Sequence, residues 1–515
     1  MTMTSIPDND NDNGNDWSLL AEFSKYQFLT SLSLSRFKSP AKGLRLGIDV
    51  QPWYHHADSS VEGENPQLRL LFFRCKRLLK YPILPLFIFD LDPRRHMDNH
   101  ARTRELTEGF IPIIEAFGFE WKYAPGDPLA ELACLNREGI LDAVLTDNVA
   151  VWVFGAQTVW RNPSSSHSKA KATVKETMYK VYDGITDARR SEMLMVLLCR
   201  GWCYARSSLR LARTELAVEI YRAAITQPVS ETDLRKLFPG WHSRLYQYVK
   251  DFRLANCVPP KDFPLLSTYM QPSVSPHLAE IYPPNMWASK EASLPKIASV
   301  CEDLFEWGWE DRILVRFRTT IWENLPVRIL RRQFLCPSLP DTEIFKLFGG
   351  GGEPGKVIEK IVGSRKHHST DKTLEYRVEV NAQLLTLWTK AGLKGTRQAP
   401  EVDAKGKGKE VISDGDDEDA EPAPDVDAKS GGAEDTSSVP SGKKKPLRIW
   451  IPAVMVQKAN LELVKEYEKE CREKKARKPR RKSRGDDDSD HASAKRPTTD
   501  SRKQTKLAFK KRPTL

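Results

Sequence analysis

The sequence lacks three features that would place a protein in a narrow class. It has no run of about 18 apolar residues, so no segment is expected to cross a membrane. Its 8 cysteines are scattered, without a CxxC pair or paired histidines, which argues against a zinc site or a disulfide framework. Residues 1–16 are acidic and Asn-rich rather than basic and then apolar, unlike a signal peptide. We therefore expect a cytosolic or nuclear protein.

The positive charge is concentrated at one end of the chain. The chain has 515 residues, more than a single core holds, and a formal net charge of +11. From Arg472 to Leu515, Lys and Arg outnumber Asp and Glu by 11, so the rest of the chain is nearly neutral. The segment Lys474–Arg484 is typical of a nuclear-localisation signal read by an import receptor, or of a nucleic-acid patch; the alternative is a solvated face.

Strand and helix patterns alternate between residues 44 and 162. Helical spacing places Leu68, Leu71, Phe72, Cys75 and Leu79 on one stripe. The predicted strands are LRLGIDV, LPLFIFD, FEWKY, LDAVLTD and VWVFG. The alternation predicts an α/β fold with a mainly parallel sheet flanked by helices. Strand-end acids Asp49, Asp90 and Asp147 should then gather at its carboxyl edge.

Composition divides the remaining chain into further regions. We predict a partly disordered extension over 1–40, the α/β core over 41–165, a helical region over 166–260 and a connecting region over 261–345. VIEKI and EYRVEV predict a hairpin, and LRIWIP a further strand, so that 350–395 and 446–470 form one small β module. Residues 396–445 form an acidic insert and 471–515 a basic tail, both predicted to be disordered.

Four stretches of the core, in order, resemble the XPG and flap-endonuclease family, most closely its Holliday-junction-resolvase branch. They are GIDVQPW, FIFD, APGDPLAELACLNREGILDAVLTD and GAQTVWRN. The resemblance implies a PIN-like nuclease fold acting on branched or flapped DNA with Mg²⁺ or Mn²⁺. It also implies that the small β module is similar to a chromodomain. Lys356 and Val380 stand where aromatic cage residues would be needed, so we expect the module to contact DNA or serve as a scaffold.

The resemblance assigns the catalytic and metal-binding positions. Asp49, Asp90 and Asp127 match family acids, Glu131 matches a secondary one, and Asp147 lies beside the last pair. Two-metal hydrolysis needs many carboxylate oxygens, because Mg²⁺ prefers hard ligands. At four further acid positions, however, the chain has Leu129, Asn148, Ala150 and Trp202. Asp127 before Pro128 is equally typical of a helix N-cap, and Asp90 of a turn.

The DNA-binding features implied by the resemblance are mixed. Arg104 matches the arginine that steers the scissile phosphate, and Arg94, Arg95 and Arg102 are candidate phosphate contacts, or else one exposed helix face. The family's glycine-rich phosphate-binding turn corresponds to ARSSLRLARTEL, which has no glycine. KQTKLAFKKRP near the end resembles a degenerate sliding-clamp box, a weak indication of a clamp partner.

Three hypotheses of function follow. The first is a nuclear, resolvase-like protein that binds branched or flapped DNA with impaired or absent nuclease activity. The second is an active structure-specific endonuclease of DNA repair that uses a rearranged site of Asp49, Asp90, Asp127, Glu131 and Asp147. The third is a non-catalytic scaffold whose tail and β module bind partners.

Overall fold

The computed structural model describes ten ranges of the chain. They are residues 17–37, 43–91, 100–161, 178–199, 210–252, 254, 263–270, 272–351, 355–399 and 446–477. Residues 1–467 form one compact unit; of a second, 468–515, only 468–477 are described, as part of a helix. Within the described residues, no helix combines the length and hydropathy needed to span a bilayer.

A seven-stranded, mostly parallel sheet forms the centre of the first unit. Its order is β1-β7-β6-β5-β2-β3-β4, with β1 and β7 antiparallel to their neighbours. The strands are β1 Ser24–Phe28, β2 Leu44–Asp49, β3 Ile83–Asp90, β4 Glu120–Ala124, β5 Ala143–Leu145, β6 Thr158–Arg161 and β7 Met178–Asp183. The predicted α/β class is confirmed. Strands β2 and β3 are almost wholly buried, as expected of central strands covered on both faces.

Helices cover the sheet and continue beyond it. Those between the strands are α1 Leu29–Ser35, α2 Gln51–Ala57, α3 Pro66–Leu79, α4 His100–Ala116, α5 Pro128–Arg137 and α6 Ala150–Val153. The following ones are α7 Asp187–Cys199, α8 Glu215–Tyr221, α9 Glu231–Asp251, α10 Phe263–Met270, α11 Leu278–Ile281, α12 Leu294–Leu304, α13 Glu310–Thr320, α14 Leu325–Leu335 and α15 Asp341–Leu347. Two separate apolar cores result: α3, α4 and α12 contribute to one, and α5, α7 and α9 to the other.

Two features of the core differ from the sequence prediction. The predicted strand VWVFG is wrong, because Ala150–Val153 forms helix α6, in which all four residues are buried. An apolar run has no periodicity, so a short buried helix and a buried strand look alike in the sequence. The sheet also exceeds the expected range 41–165, since β1 and β7 pair at its far edge. Residues 24–28 of the expected extension are thus part of the sheet.

A three-stranded antiparallel sheet forms the small C-terminal module. Its order is β10-β9-β8, with β8 Ile358–Lys366, β9 Leu374–Val380 and β10 Leu447–Pro452. Leu447 pairs with Val380 although residues 381–446 separate the two strands in sequence, as the split arrangement predicted. Helices α16 Ala382–Lys390, α17 Ala453–Ala459 and α18 Leu461–Arg477 complete the described part. Residues 396–399 of the predicted insert are described, with Thr396 bonded to Glu302 and Arg397 paired with Glu64, and residues 471–477 of the predicted tail continue helix α18. The rest of the disorder predicted for both segments falls on residues outside those described.

Polar contacts fasten this module to the core. The indole of Trp322 donates to the Thr389 hydroxyl at 3.1 Å, both groups being buried. The Glu302 carboxylate accepts from the backbone N–H groups of Lys394 and Thr396, each at 2.7 Å. Charge-assisted bonds of this kind are stronger than neutral ones. The module and the core are therefore parts of one folded unit.

A buried ionic cluster links the α12 region to α14. Glu291 lies within 3.1 Å of the guanidinium groups of Arg328, Arg331 and Arg332, and all four side chains are at most 5% exposed. Further guanidinium N–H groups of these arginines donate to backbone carbonyls, including that of Ile83 in β3. Burial lowers the pKa of Arg331, and Glu291 opposes this shift. The cluster depends on its single carboxylate, since each arginine is costly to bury without one.

Candidate functional site at the carboxyl edge of the sheet

Asp49 lies at the end of the central strand β2 and is almost completely buried. One carboxylate oxygen accepts from the Thr146 hydroxyl at 2.6 Å, and the other accepts from the Gln51 backbone N–H at 3.1 Å. Burial is the main cause that raises its pKa to about 6, with smaller contributions from the charges of Asp127 and Asp147. A strand-end acid held this tightly, with a strongly perturbed pKa, is characteristic of a functional site.

The turn after β5 is arranged around Asp49. The Thr146 hydroxyl that donates to Asp49 also accepts from the Asn148 backbone N–H at 3.0 Å. The Asn148 side-chain oxygen accepts from the Ala150 N–H at 3.0 Å, at the start of α6. The residue at one replaced acid position thus supports a turn. Thr146 is not among the site residues predicted from the sequence, although its place next to the predicted strand-end acid Asp147 is a usable signal.

Asp147 is part of a three-residue contact. Its carboxylate lies 3.4 Å from the Arg161 guanidinium, which in turn stacks 4.7 Å from the ring centre of Trp17. The Trp17 indole donates to the Asp147 carbonyl at 2.9 Å. Asp147 lies beyond β5, which ends at Leu145, so strand alternation does not fix the direction of its side chain. Asp147 is close enough to raise the pKa of Asp49, but its own charge is paired with the Arg161 guanidinium.

Asp127 caps the helix that carries the rest of its motif. Its side chain accepts from the Leu129 backbone N–H at 2.8 Å, its backbone is extended, and Pro128 occupies the first turn of α5. This is the N-cap geometry that the sequence offered as an alternative to a ligand role. The carboxylate is only half-buried and its charge reaches Asp49, so the same side chain also lies at the site.

Glu131 is buried, and both of its carboxylate oxygens accept hydrogen bonds from the protein. One oxygen accepts from the Ser275 backbone N–H at 2.8 Å and the other from the Tyr282 hydroxyl at 2.9 Å. The segment around Ser275 passes directly over Gly126, where a Cβ would come within 2.1 Å of the Ser273 carbonyl oxygen. The structure therefore places Glu131 as an anchor for this segment rather than as an oxygen donor facing Asp49.

Asp90 and the arginines lie around the neighbouring strand β3. Asp90 is half-buried at the end of β3, beside Asp49's strand. Arg102 and Arg104 are exposed on α4, where they pair with Asp58 at 3.0 Å and with Glu108 at 2.8 Å. Exposed pairs of this kind contribute little and can be exchanged for phosphate. The candidate contacts Arg94 and Arg95 fall outside the described residues, as does Trp202.

The donor set does not fit two divalent ions. Among the described residues, no group of three or more His, Cys, Asp or Glu side chains is arranged to hold a metal. The side chains themselves give the reason. Each Glu131 oxygen accepts a hydrogen bond from the protein, and Asp147 pairs with Arg161. Three acid positions have Leu129, Asn148 and Ala150 instead. Asp49, Asp90 and Asp127 are what remains at this edge, too few for the crowded oxygen shell of a two-metal centre.

Comparisons with known proteins define the class. The XPG I-region matches residues 118–201, and the C-terminal domain of the Holliday junction resolvase Gen1 matches residues 357–470, across the insert. In these two stretches the chain is therefore similar to the XPG family and to its Holliday-junction-resolvase branch. Both halves of the split module thus fall within one family domain.

Individual relatives are more distant. Flap endonuclease GEN homolog 1 of Mus musculus is 23% identical over 172 residues, covering 28% of this chain and 18% of the relative. Flap endonuclease GEN-like 1 of Arabidopsis thaliana is 25% identical, covering 28% of each chain. The chain thus matches less than a third of these relatives' length.

Solved structures show the same fold over most of the chain. The Holliday junction-resolving enzyme GEN1, in complex with product DNA and Mg²⁺, matches with a TM-score of 0.56 and 21% identity, covering 88% of this chain and 98% of that one. The junction-resolving enzyme GEN-1 with caesium matches with a TM-score of 0.59 and 21% identity, over 89% and 99%. The predicted PIN-like arrangement is confirmed by these likenesses.

Proposed function

We propose that this chain is a nuclear, resolvase-like protein that binds branched or flapped DNA and has little or no metal-dependent endonuclease activity. The observation that carries the proposal is what three side chains of this region do: Glu131 anchors a loop, Asp147 pairs with Arg161, and Asn148, at a replaced acid position, supports a turn. Each of these groups makes a contact within the protein, whereas a two-metal nuclease needs carboxylate oxygens that are free to bind the ions.

Two features support DNA as the ligand. The relatives on this branch are named as flap endonucleases and Holliday junction-resolving enzymes, one of them solved with product DNA. In this chain, Arg102 and Arg104 are exposed on α4, where each pairs with an exposed acid. Exchange of those acids for phosphate oxygens would leave the fold intact.

The decisive experiment measures binding and cleavage separately. The full chain is titrated against fluorescent flap, four-way and plain duplex DNA, and the same substrates are incubated with Mg²⁺ or Mn²⁺. We expect preference for the branched substrates without metal-dependent cleavage. The restoring variant Leu129→Glu/Asn148→Asp/Ala150→Asp should raise Mn²⁺ affinity, because each change returns a carboxylate to a position where the resemblance implies a family acid. Robust cleavage by the unmodified chain that Asp49→Ala abolishes would refute the inactive state.

One observation favours an active, rearranged site as the second candidate. The charges of Asp127 and Asp147 both raise the pKa of Asp49, so three carboxylates share one local field. In this case a crystal soaked in Mn²⁺ should show an ion touching at least three of Asp49, Asp90, Asp127, Glu131 and Asp147. An ion touching fewer, or none, would leave the non-catalytic proposal standing.

The tail supplies the remaining proposals. We propose that Lys474–Arg484 binds an import receptor and directs the chain to the nucleus; the clamp-like residues Gln504, Leu507 and Phe509 are a weaker candidate for a partner. If the scaffold hypothesis holds instead, removing residues 471–515 should abolish salt-dependent DNA affinity, since phosphate neutralisation by the tail would then supply it. Retention of branched-DNA preference without the tail supports binding by the core.

A further inference from the structure

We propose that Tyr123 is a stacking platform for an unpaired nucleobase of the bound DNA. This inference rests on the proposed function, because it assigns one element of the substrate to one side chain. Tyr123 is next to last in β4, the edge strand of the sheet, and its ring is 41% exposed. It precedes the loop that carries Asp127, and thus lies at the carboxyl edge itself.

The ring is held on its inner side by other aromatic residues. Its centre lies 5.5 Å from Trp121, in an edge-on arrangement, and 6.2 Å from Phe89, which is buried. The Trp121 indole donates to the Glu115 carboxylate at 3.1 Å, which orients that ring as well. Edge-on contacts leave the outer part of the Tyr123 ring available. A pre-oriented ring loses little entropy when a base stacks on it.

Its neighbours in the sheet connect the ring to the site. Tyr123 pairs with Phe89 in β3, and the next pair is Ala124 with Asp90. Leu91, directly after Asp90, is 63% exposed, so an apolar surface borders the strand-end acid. A base lying on Tyr123 and Leu91 would bring its own backbone to the end of β3, where the candidate acids are found.

Positive charge near the ring favours a nucleotide over other apolar ligands. Arg104 is exposed on α4, where it pairs with Glu108 at 2.8 Å; its pKa is raised mainly by Glu108 and to a smaller extent by Tyr123. Aromatic faces next to cations are how proteins hold single-stranded nucleic acid, with the ring taking the base and the cation its phosphate. The occupant is therefore an unpaired base, not an apolar peptide.

The test separates stacking from overall binding. Flap and four-way DNA carry 2-aminopurine at an unpaired or a fully paired position, and the full chain is added while both anisotropy and 2-aminopurine fluorescence are recorded. We expect quenching at the unpaired position alone. Tyr123→Ala should remove it and weaken binding of flapped DNA by about 5- to 150-fold, the range for loss of one base–aromatic stack, with duplex affinity unchanged. Tyr123→Phe should keep both signals.

A matched control is Tyr26→Ala, which removes an equally exposed tyrosine, 48%, from the opposite edge strand β1. It should behave as the unmodified chain. Two outcomes would refute the role of Tyr123 while leaving the proposed function intact. One is binding of flapped DNA by the unmodified chain without 2-aminopurine quenching. The other is an equal loss of affinity for flapped and duplex DNA in Tyr123→Ala. Failure of the unmodified chain to bind any of these DNAs would overturn the proposed function and this inference with it.

Discussion

The buried carboxylate of Asp49 should make the stability of this protein depend on pH in a specific window. Its pKa is about 6 in the fold, against an ordinary value of 3.8, and burial is the main cause. The unfolded chain therefore releases this proton more readily than the folded one. Stability from the neutral carboxyl is present below pH 3.8 and is lost as pH rises through about 6. Asp49→Asn removes this dependence, because an amide does not ionise.

The magnitude follows from the shift. Since one pKa unit corresponds to about 1.4 kcal/mol, a shift from 3.8 to about 6 gives a pH-dependent cost on the order of 3 kcal/mol at pH 7. Asparagine also weakens the bonds from Thr146 and Gln51, at a cost of about 1–2 kcal/mol that does not vary with pH. The variant should accordingly be less stable than the unmodified chain near pH 4 and more stable near pH 7.

Urea unfolding of both chains at pH 4, 5, 6 and 7 checks this expectation. The measured quantity is the difference in free energy of unfolding between Asp49→Asn and the unmodified chain. Asp183→Asn is the matched control, because Asp183 is an exposed acid paired with Lys25 at the surface and should give a small difference. A difference that stays flat from pH 4 to 7, or that changes in the opposite direction, would refute the assignment of Asp49 as a desolvated site acid.

Three further substitutions probe other parts of the structure. Glu291→Gln should lower the free energy of unfolding by about 3–5 kcal/mol, because Arg328, Arg331 and Arg332 lose the carboxylate that they share; a loss under about 1 kcal/mol in urea contradicts this. Glu131→Gln should lower the free energy of unfolding by about 1–3 kcal/mol and leave DNA affinity unchanged. Unchanged stability in thermal-shift measurements, together with weaker DNA binding in anisotropy measurements, would indicate a site role. Trp17→Ala should speed proteolysis within residues 17–28, whereas Trp17→Phe, which keeps a ring on Arg161, should have a smaller effect. Equal cleavage rates for Trp17→Ala and the unmodified chain would exclude the contact with Asp147 as an anchor.

The sequence predicted most of the sheet because its strands have strong and unambiguous patterns. The apolar runs ending at Asp49 and Asp90 are too short for helices and end in acids, and both form parallel strands as expected. The run VWVFG has the same composition but follows a turn fixed by Asn148, which begins a helix instead. Local composition could not reveal this, since the deciding hydrogen bond is made by a side chain outside the run.

The site was less predictable because its character depends on contacts between distant residues. Asp49 and Asp127 could be named from their positions in motifs, and the N-cap alternative for Asp127 came from the proline that follows it. The neutralisation of Asp147 by Arg161 depends on strand β6 lying next to β5, and on Trp17 from a segment far away in the chain. No spacing rule in the sequence relates these residues.

The split β module has a consequence for how this protein is synthesised. Strand β9 lies in the middle of its sheet, with β8 on one side and β10 on the other, but β10 is made only after residues 381–446. At ordinary translation rates those residues take about 3 to 13 seconds. During that interval one edge of β9 has no strand to pair with, and open edges invite pairing with other chains. The length of the insert thus sets how long a nascent chain must be protected from its neighbours.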